Sequence, residues 1–222
     1  GARSSGRSKK SFGRDEIVTE KEVLELFEKA GALLKGHFKL SSGLHSERYL
    51  QCALVLQYPD MAEKLSKAIA NKFSKDIIDV VIGPALGGVT LAYEVARAIG
   101  SRGLFTERHP STGSGCCPEL AEGRQDGDMV LRRGFSISKG EKVLVVEDVV
   151  TTGGSTKEVI DLVKSFGAYV VGVGSIIDRS SARIDFGAPF ESLAKVKVET
   201  FEEDKCPLCK KQMPIMKPGS RR

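Results

Sequence analysis

Two adjacent acids and a run of hydroxyl and glycine residues lie between an apolar segment and a helical segment. The stretch from Val143 to Thr156 reads VLVVEDVVTTGGST. Its β-branched start predicts a buried strand that delivers Glu147 and Asp148 to its carboxyl end. The helix start that follows could bind a phosphate through backbone N–H groups and hydroxyls, and it contains Thr151, Thr152, Gly153, Gly154, Ser155 and Thr156.

Carboxylates placed beside a phosphate would repel it, so the two acids indicate further groups on the ligand. Sugar hydroxyls, a Mg²⁺ ion or a developing positive charge would each suit them, and a phosphorylated sugar satisfies all of these requirements. The simpler alternative is a hydroxyl-rich helix cap with its acids in solvent. The uninterrupted run of acids, glycines and hydroxyls favours a binding site. The segment matches neither the G-x-x-x-x-G-K-[ST] motif nor the G-x-G-x-x-G motif.

The elements around this segment predict a sheet that is covered on both faces. Strand, turn and helix follow one another within residues 79–99 and again within 142–166, and the apolar run YVVGVGSIID supplies a further strand. Short buried runs that alternate with helices predict a doubly wound α/β core, with a central, mostly parallel sheet flanked by helices. Loops at the carboxyl ends of the strands would then hold the ligand.

The rest of the chain predicts smaller elements around this core. An amphipathic helix is expected between Ile17 and Lys35, with Thr19 and Glu22 as a capping box, then strand, turn and strand over 37–56, and a helix over 59–73. We expect one domain (16–205) between a disordered basic tail (1–15) and a polar, irregular C-terminal tail (206–222). Within the domain we expect a small N-terminal hood (about 17–56) and a long flexible flap (about 107–134).

Composition narrows the class of protein. A chain of 222 residues with 41% hydrophobic content can bury one good-sized core. The net charge of +5 is compatible with an anionic substrate and decides little else. No apolar stretch approaches the ~18 residues needed to cross a membrane, and no secretory signal is evident. Five cysteines, an odd number, indicate reduced thiols, so we expect a soluble cytoplasmic protein.

The segment EDVVTTGGST resembles the signature with which type I phosphoribosyltransferases bind 5-phosphoribosyl 1-diphosphate (PRPP). The resemblance implies that Glu147 and Asp148 hold the ribose hydroxyls at the catalytic centre, and that residues 151–156 surround the 5′-phosphate. It also implies Mg²⁺ as cofactor, bound through PRPP and water without direct protein ligation.

Three further stretches resemble the orotate enzymes of this family and occur in the same order. IGPALGGVTLAYEVARAIG is similar to their pyrophosphate loop, FKLSSGLHSERYLQC to their hood, and the CPLC…KPGSR ending to that of one bacterial-type subgroup. The resemblance places Ser41, Ser42 and Gly43 near the base, and Arg179 opposite the orotate carboxylate, which a guanidinium can bind bidentately. The resemblance also implies that four residues of the pyrophosphate loop present their backbone to the pyrophosphate, namely Ala85, Leu86, Gly87 and Gly88.

The activity implied by the resemblance is transfer of the 5-phosphoribosyl group from PRPP to orotate, giving orotidine 5′-phosphate and pyrophosphate in pyrimidine biosynthesis. A homodimer is implied as well, with no nucleic-acid or membrane partner.

One alternative is a purine phosphoribosyltransferase of the same fold, although a neutral purine has no carboxylate for Arg179. Another is a PRPP-sensing regulator that binds nucleic acid, although the residues before Thr19 are too few and too polar for a helix-turn-helix. Asp178 and Arg179 could also be a simple surface ion pair.

The flap and the cysteines leave further alternatives open. The flap departs from the usual lysine- and histidine-bearing pattern of orotate enzymes; Arg108 and His109 are its candidate charges, and the insertion could be inert. Cys206 and Cys209 form a C-x-x-C motif, but a zinc site would need a second pair of ligands, such as Cys116 and Cys117. No second C-x-x-C motif is present.

Overall fold

The structure is a computed structural model that describes residues 18–40, 42–109 and 127–217. The tail predicted for residues 1–15 and the flap interior at 110–126 lie outside the described residues.

Six strands form the core sheet. They are β3 (Val80–Pro84), β4 (Arg102–Arg108), β5 (Met129–Val130), β6 (Lys142–Val150), β7 (Tyr169–Asp178) and β8 (Phe190–Lys195). Their order across the sheet is β5-β4-β3-β6-β7-β8, and every neighbouring pair is parallel except β4 and β5. The prediction of a mostly parallel α/β sheet is confirmed.

Helices cover this sheet on both faces. They are α1 (Glu20–Lys29), α2 (Ala53–Leu56), α3 (Pro59–Lys72), α4 (Gly87–Ile99) and α5 (Gly154–Ser165). Alternate strand residues point to opposite faces. Val81 and Leu144 therefore pack with α3 and α4, whereas Val80 and Val143 pack with α5. This double burial explains why β3 and β6 read as continuous apolar runs.

A second, smaller sheet joins the two ends of the chain. Its strands are β1 (Leu33–Lys39), β2 (His45–Leu50), β9 (Thr200–Phe201) and β10 (Ile215–Met216), in the order β10-β1-β2-β9. We call it the hood sheet. Strands β1 and β2 form an antiparallel hairpin, β9 pairs antiparallel with β2, and β10 pairs parallel with β1. The hood therefore contains residues from both ends of the described chain.

The C-terminal segment is more regular than its sequence predicts. Residues after Cys206 were expected to be irregular, yet α6 (Pro207–Lys210) and β10 lie within them. The side chains of Cys206 and Leu208 are buried. The polar composition did not predict these elements, because β10 forms its backbone hydrogen bonds with β1. Local sequence patterns do not reveal such long-range pairing.

Two other elements near the N-terminus differ from their predicted form. The first helix has the expected capping box, with the Thr19 backbone N–H donating to Glu22 Oε2 over 2.8 Å. It ends at Lys29, because Gly31 adopts a positive φ of 63°, and Leu33 already belongs to β1. The prediction of a strand reaching residue 56 was wrong, since Ala53–Leu56 is helical.

Within the part of the chain that the structure describes, no helix combines the length and the apolar character that crossing a lipid bilayer requires.

Candidate active site

The predicted site segments meet at one edge of the core sheet. Strands β3, β6 and β7 run parallel, with Ile82 opposite Val145 and Val150 opposite Asp178. Their carboxyl ends therefore lie side by side, followed by residues 85–88, residues 151–156 and Arg179 respectively. This is where an open α/β sheet places its ligand.

Glu147 and Asp148 are half-buried near the end of β6. Because adjacent strand residues face opposite ways, the two carboxylates reach different neighbours. Glu147 accepts a hydrogen bond from the Thr156 hydroxyl at the start of α5. Burial raises the pKa of Glu147 to about 7, with Asp148 and Glu158 adding to the shift and the Thr156 hydroxyl opposing it. Burial also raises the pKa of Asp148, although the Val149 backbone N–H, 2.9 Å from Oδ1, opposes that shift.

The Asp148 carboxylate lies against the backbone of Gly87, the first residue of α4. A Cβ added at Gly87 would be 2.6 Å from Asp148 Oδ2 and 2.7 Å from Oδ1. Only glycine allows this approach without moving the carboxylate. The preceding peptide bond between Ala85 and Leu86 is cis, and the Leu86 side chain is 84% exposed. The predicted pyrophosphate loop is therefore open to solvent beside Asp148.

The predicted phosphate segment combines open and buried positions. Gly153 caps α5 in the left-handed conformation, with φ of 75°, and a Cβ there would be 2.8 Å from the Phe186 ring. Thr151 and Thr152 are exposed, so their hydroxyls are available to a ligand. The Thr156 side chain is 0% exposed and its hydroxyl is bonded to Glu147. Thr156 therefore positions an acid as well as forming part of the helix start.

Arg179 follows β7 directly, and its backbone N–H donates to Val150 O over 2.8 Å. Its guanidinium is half-buried, and burial lowers its pKa, against the opposing effects of Tyr49 and Cys52. Among the described atoms, the buried Arg179 Nε has no hydrogen-bond partner. The alternative of a surface pair with Asp178 does not fit the geometry, because the Asp178 carboxylate bonds to the Ser180 N–H and to Lys195 instead.

Tyr49 on β2 was not predicted as a site residue. Its phenol has a raised pKa, mainly from burial and then from Asp148, whereas Arg179 lowers it. The phenol therefore lies within electrostatic range of both the acid and the guanidinium. It also packs against Phe38, with 5.7 Å between ring centroids. The motif LHSERYLQC contains Tyr49, but strand alternation alone did not show that this side chain faces the core sheet.

Other predicted base contacts lie in the hood. Ser42 and Gly43 are exposed at the turn between β1 and β2, and Ser41 lies outside the described residues. Their roles toward a substrate stay predictions.

The two candidate flap charges lie at the base of the flap. Arg108 contacts Glu158 Oε2 over 2.5 Å and Gly127 O over 2.6 Å. The His109 backbone N–H donates to Asp128 O over 2.8 Å. The β4–β5 pair thus continues into the start of the flap. A role for either charge in the reaction stays a prediction.

Comparisons with known proteins assign the class and then the family. A family model described as "Phosphoribosyl transferase domain" matches residues 54–203. A protein named orotate phosphoribosyltransferase from Caldanaerobacter subterraneus subsp. tengcongensis is 58% identical over 205 residues, covering 92% of this chain and 100% of that protein. One of the same name from Thermotoga maritima is 50% identical over 199 residues, covering 90% of this chain and 98% of that protein. The chain therefore belongs to the orotate phosphoribosyltransferases, and the resemblance found in its motifs is confirmed.

Solved structures agree on the fold. The crystal structure of orotate phosphoribosyltransferase from Aeropyrum pernix has a TM-score of 0.62 at 24% identity, covering 78% of this chain and 93% of that one. The crystal structure of adenine phosphoribosyltransferase from Thermoanaerobacter pseudethanolicus has a TM-score of 0.55 at 17% identity, covering 67% and 88%. Since enzymes of both names share the fold, the fold does not select the base.

Proposed function

We propose that this protein transfers the 5-phosphoribosyl group from PRPP to orotate, giving orotidine 5′-phosphate and pyrophosphate for pyrimidine biosynthesis. The observation that carries the proposal is the convergence of Glu147, Asp148, the glycine–hydroxyl helix start and Arg179 at one edge of the core sheet. The relatives named orotate phosphoribosyltransferase support the choice of base.

The two carboxylates suit the sugar end of this reaction. Departure of the diphosphate leaves positive charge on the ribose carbon, which nearby carboxylates would stabilise. Glu147 and Asp148 lie near the carboxyl end of β6 and extend from its opposite faces. They can therefore accept hydrogen bonds from two different ribose hydroxyls. The Thr156 hydroxyl fixes the orientation of Glu147. Residues 151–156 would hold the 5′-phosphate and keep the ribose in line with the base.

Mg²⁺ fits this set of donors. Among the described residues, neither Glu147 nor Asp148 forms an ion pair with a lysine or arginine, and burial raises both pKa values. Such a pair would be stabilised by a divalent cation with its water shell. Bound through PRPP oxygens, the ion would neutralise the leaving diphosphate. Asp148 and Glu147 would then hold ribose hydroxyls and metal-bound water.

The base end of the site suits a carboxylate. The buried Arg179 Nε has no partner among the described atoms, and a buried donor without an acceptor is costly. An orotate carboxylate would accept from it and from a second guanidinium nitrogen. The Tyr49 phenol beside Arg179 could donate to the pyrimidine ring, and the turn at Ser42 and Gly43 would cover it.

The remaining expectations come from the family resemblance and are part of the proposal. We propose a cytoplasmic homodimer that has no nucleic-acid or membrane partner. Light scattering across a concentration series would test the dimer, and a single-chain mass at every concentration would contradict it.

The direct test is turnover of PRPP with orotate, adenine, hypoxanthine or xanthine. We expect orotate alone to be consumed. Turnover of a purine without orotate would overturn the choice of base. The double variant Glu147→Gln with Asp148→Asn should lose most activity while keeping its circular dichroism spectrum, and Glu28→Gln on the exposed side of α1 is the matched control. Activity near the parent level in the double variant would refute the role of the two acids.

A further inference from the structure

Two histidines and two cysteines converge outside the candidate active site. His37 and His45 lie on β1 and β2, and Cys206 and Cys209 form the C-x-x-C motif that begins α6. Their potential ligand atoms all lie within 4.8 Å of one another. We call these four residues the cysteine–histidine cluster. His37, His45 and Cys206 are buried, with at most 1% of their surface exposed.

The distances within the cluster approach those of a tetrahedral metal site. His37 Nε2 is 2.9 Å from His45 Nδ1, 3.6 Å from Cys206 Sγ and 3.7 Å from Cys209 Sγ, and Cys209 Sγ is 3.2 Å from His45 Nδ1. Zinc with Zn–N bonds of about 2.0–2.1 Å and Zn–S bonds of about 2.3 Å separates its ligand atoms by roughly 3.3–3.8 Å. For these four of the six ligand pairs, shifts of roughly half an ångström or less would give tetrahedral spacing, and the other two pairs lie within 4.8 Å.

Hydrogen bonds around the cluster orient the imidazole rings for metal binding. His37 Nδ1 lies 2.9 Å from Met213 O and must donate to it, so His37 Nε2 presents a lone pair to the cluster. A backbone carbonyl that accepts from the second ring nitrogen is the usual support of a metal-bound histidine. On the other side, His45 Nε2 lies 4.0 Å from Glu203 Oε2. A proton on that nitrogen would face a carboxylate and leave Nδ1 free as a ligand.

A metal-free cluster explains these contacts less well. His45 Nδ1 could donate to His37 Nε2 as an ordinary hydrogen bond. The His45 Nε2 lone pair would then be buried without a donor and would face the Glu203 carboxylate. Such an arrangement carries an energetic cost, whereas a cation at the centre would accept both lone pairs and both thiolates.

We propose that the cysteine–histidine cluster is a structural zinc site. Two thiolates and two imidazoles in a tetrahedral arrangement favour zinc over the hard cations that carboxylates bind. Four protein ligands leave no position for water or substrate, which is typical of a structural site. From the sequence alone, a zinc site stayed an open alternative because no second C-x-x-C motif supplies the other two ligands. The hood hairpin supplies the second pair of ligands, and the flap cysteines, Cys116 and Cys117, are not needed.

The position of the cluster explains what the metal stabilises. Strand β9 precedes the C-x-x-C motif and pairs with β2, and β10 follows it and pairs with β1. Each of these outer strands has two residues, too few to hold the segment by backbone hydrogen bonds alone. A zinc ion shared by both segments would fasten the C-terminal segment to the hood hairpin, because its binding free energy adds to that of folding.

Metal analysis of the untagged, full-length protein tests the site. We expect about one zinc per chain, released when a mercurial reagent modifies the thiols. The protein is then stripped by a chelator and refilled with Co²⁺, which should give intense visible bands and a thiolate-to-metal charge-transfer band. Absence of bound zinc together with a weak, octahedral-type Co²⁺ spectrum would overturn the proposal.

Paired variants assign the ligands. Cys206→Ser and Cys209→Ser should each reduce bound zinc to a small fraction of the parent value. The double variant Cys116→Ser with Cys117→Ser should retain it. Loss of zinc from that control, with retention in the other two, would move the site to the flap and refute the cluster.

A second measurement covers the case in which the cysteine variants fail to fold. Alkylation of the unmodified protein, mapped by mass spectrometry, should label Cys206 and Cys209 after chelation and spare them after zinc is restored. Equal labelling with and without zinc would contradict ligation by these thiols.

Discussion

Replacing Glu147 by glutamine should change how the stability of the protein depends on pH. Burial raises the pKa of this carboxyl from 4.5 to about 7 in the folded protein. Between these values the folded state keeps a proton that the unfolded state has released. The free energy of unfolding therefore falls as the pH rises through this window. Glutamine carries no charge at any pH and can still accept from the Thr156 hydroxyl, so the variant should lack this part of the decline.

The size of the effect follows from the shift itself. A change from 4.5 to about 7 corresponds to about 3 kcal/mol in total, at about 1.4 kcal/mol for each pKa unit. Between about pH 5 and about pH 8 the parent should lose roughly 2–3 kcal/mol more stability than Glu147→Gln. Asp148 also has a raised pKa, but it is present in both proteins and largely cancels in the difference.

Urea unfolding at several pH values, without PRPP or added Mg²⁺, measures this difference. Glu28→Gln, which removes an exposed carboxyl from α1, is the control and should follow the parent. Parallel curves for the parent and Glu147→Gln would show that the folded carboxyl titrates near its ordinary pKa and would refute a rise in that pKa caused by burial. We expect the free energy of unfolding of Glu147→Gln to exceed that of the parent by an amount that grows as the pH rises.

Three other substitutions test separate parts of the site. Gly87→Ala places a Cβ 2.6 Å from Asp148 Oδ2 and should lower kcat about 100-fold with little change in thermal stability; an unchanged kcat would contradict the close approach. Arg179→Lys should raise the KM for orotate about 10- to 100-fold, because bidentate contact is lost, and an equal rise in the KM for PRPP would argue against it. Gly153→Ala imposes a left-handed alanine beside Phe186 and should cost about 2 kcal/mol, read as a drop in Tm of about 4–8 °C; an unchanged Tm would be inconsistent with this geometry.

The core sheet was predictable because its signals are local. β3 and β6 read as apolar runs that end at glycine-rich turns, and each is followed by a periodic helix. The order of acids, glycines and hydroxyls along β6 and α5 then indicates which groups lie at the carboxyl edge of the sheet. The placement of Glu147 and Asp148 at that edge follows from these patterns alone.

The hood was only half predictable because its sheet depends on long-range pairing. The β1–β2 hairpin follows from its turn, but β9 and β10 have two residues each, and their pairing partners are distant in sequence. Tyr49 was missed for a similar reason. Strand alternation shows that β2 has two faces but does not show which of them is directed toward Asp148 and Arg179. The packing of the hood on the core sheet determines that orientation.

In the proposed function, the opposite ends of the substrate would be held by parts of the molecule that differ in how they are stabilised. The phosphoribosyl end would lie on β3 and β6, central strands whose side chains are buried between two layers of helices. The base end would depend on the β1–β2 hairpin, which is flanked by two short strands from the far end of the chain. A buried cross-link between those segments would give the base end a rigidity that its own strands cannot supply. Under the proposed function, the segment from Val143 to Thr156 would hold the sugar, and the C-x-x-C segment would act on the base end through the hood sheet.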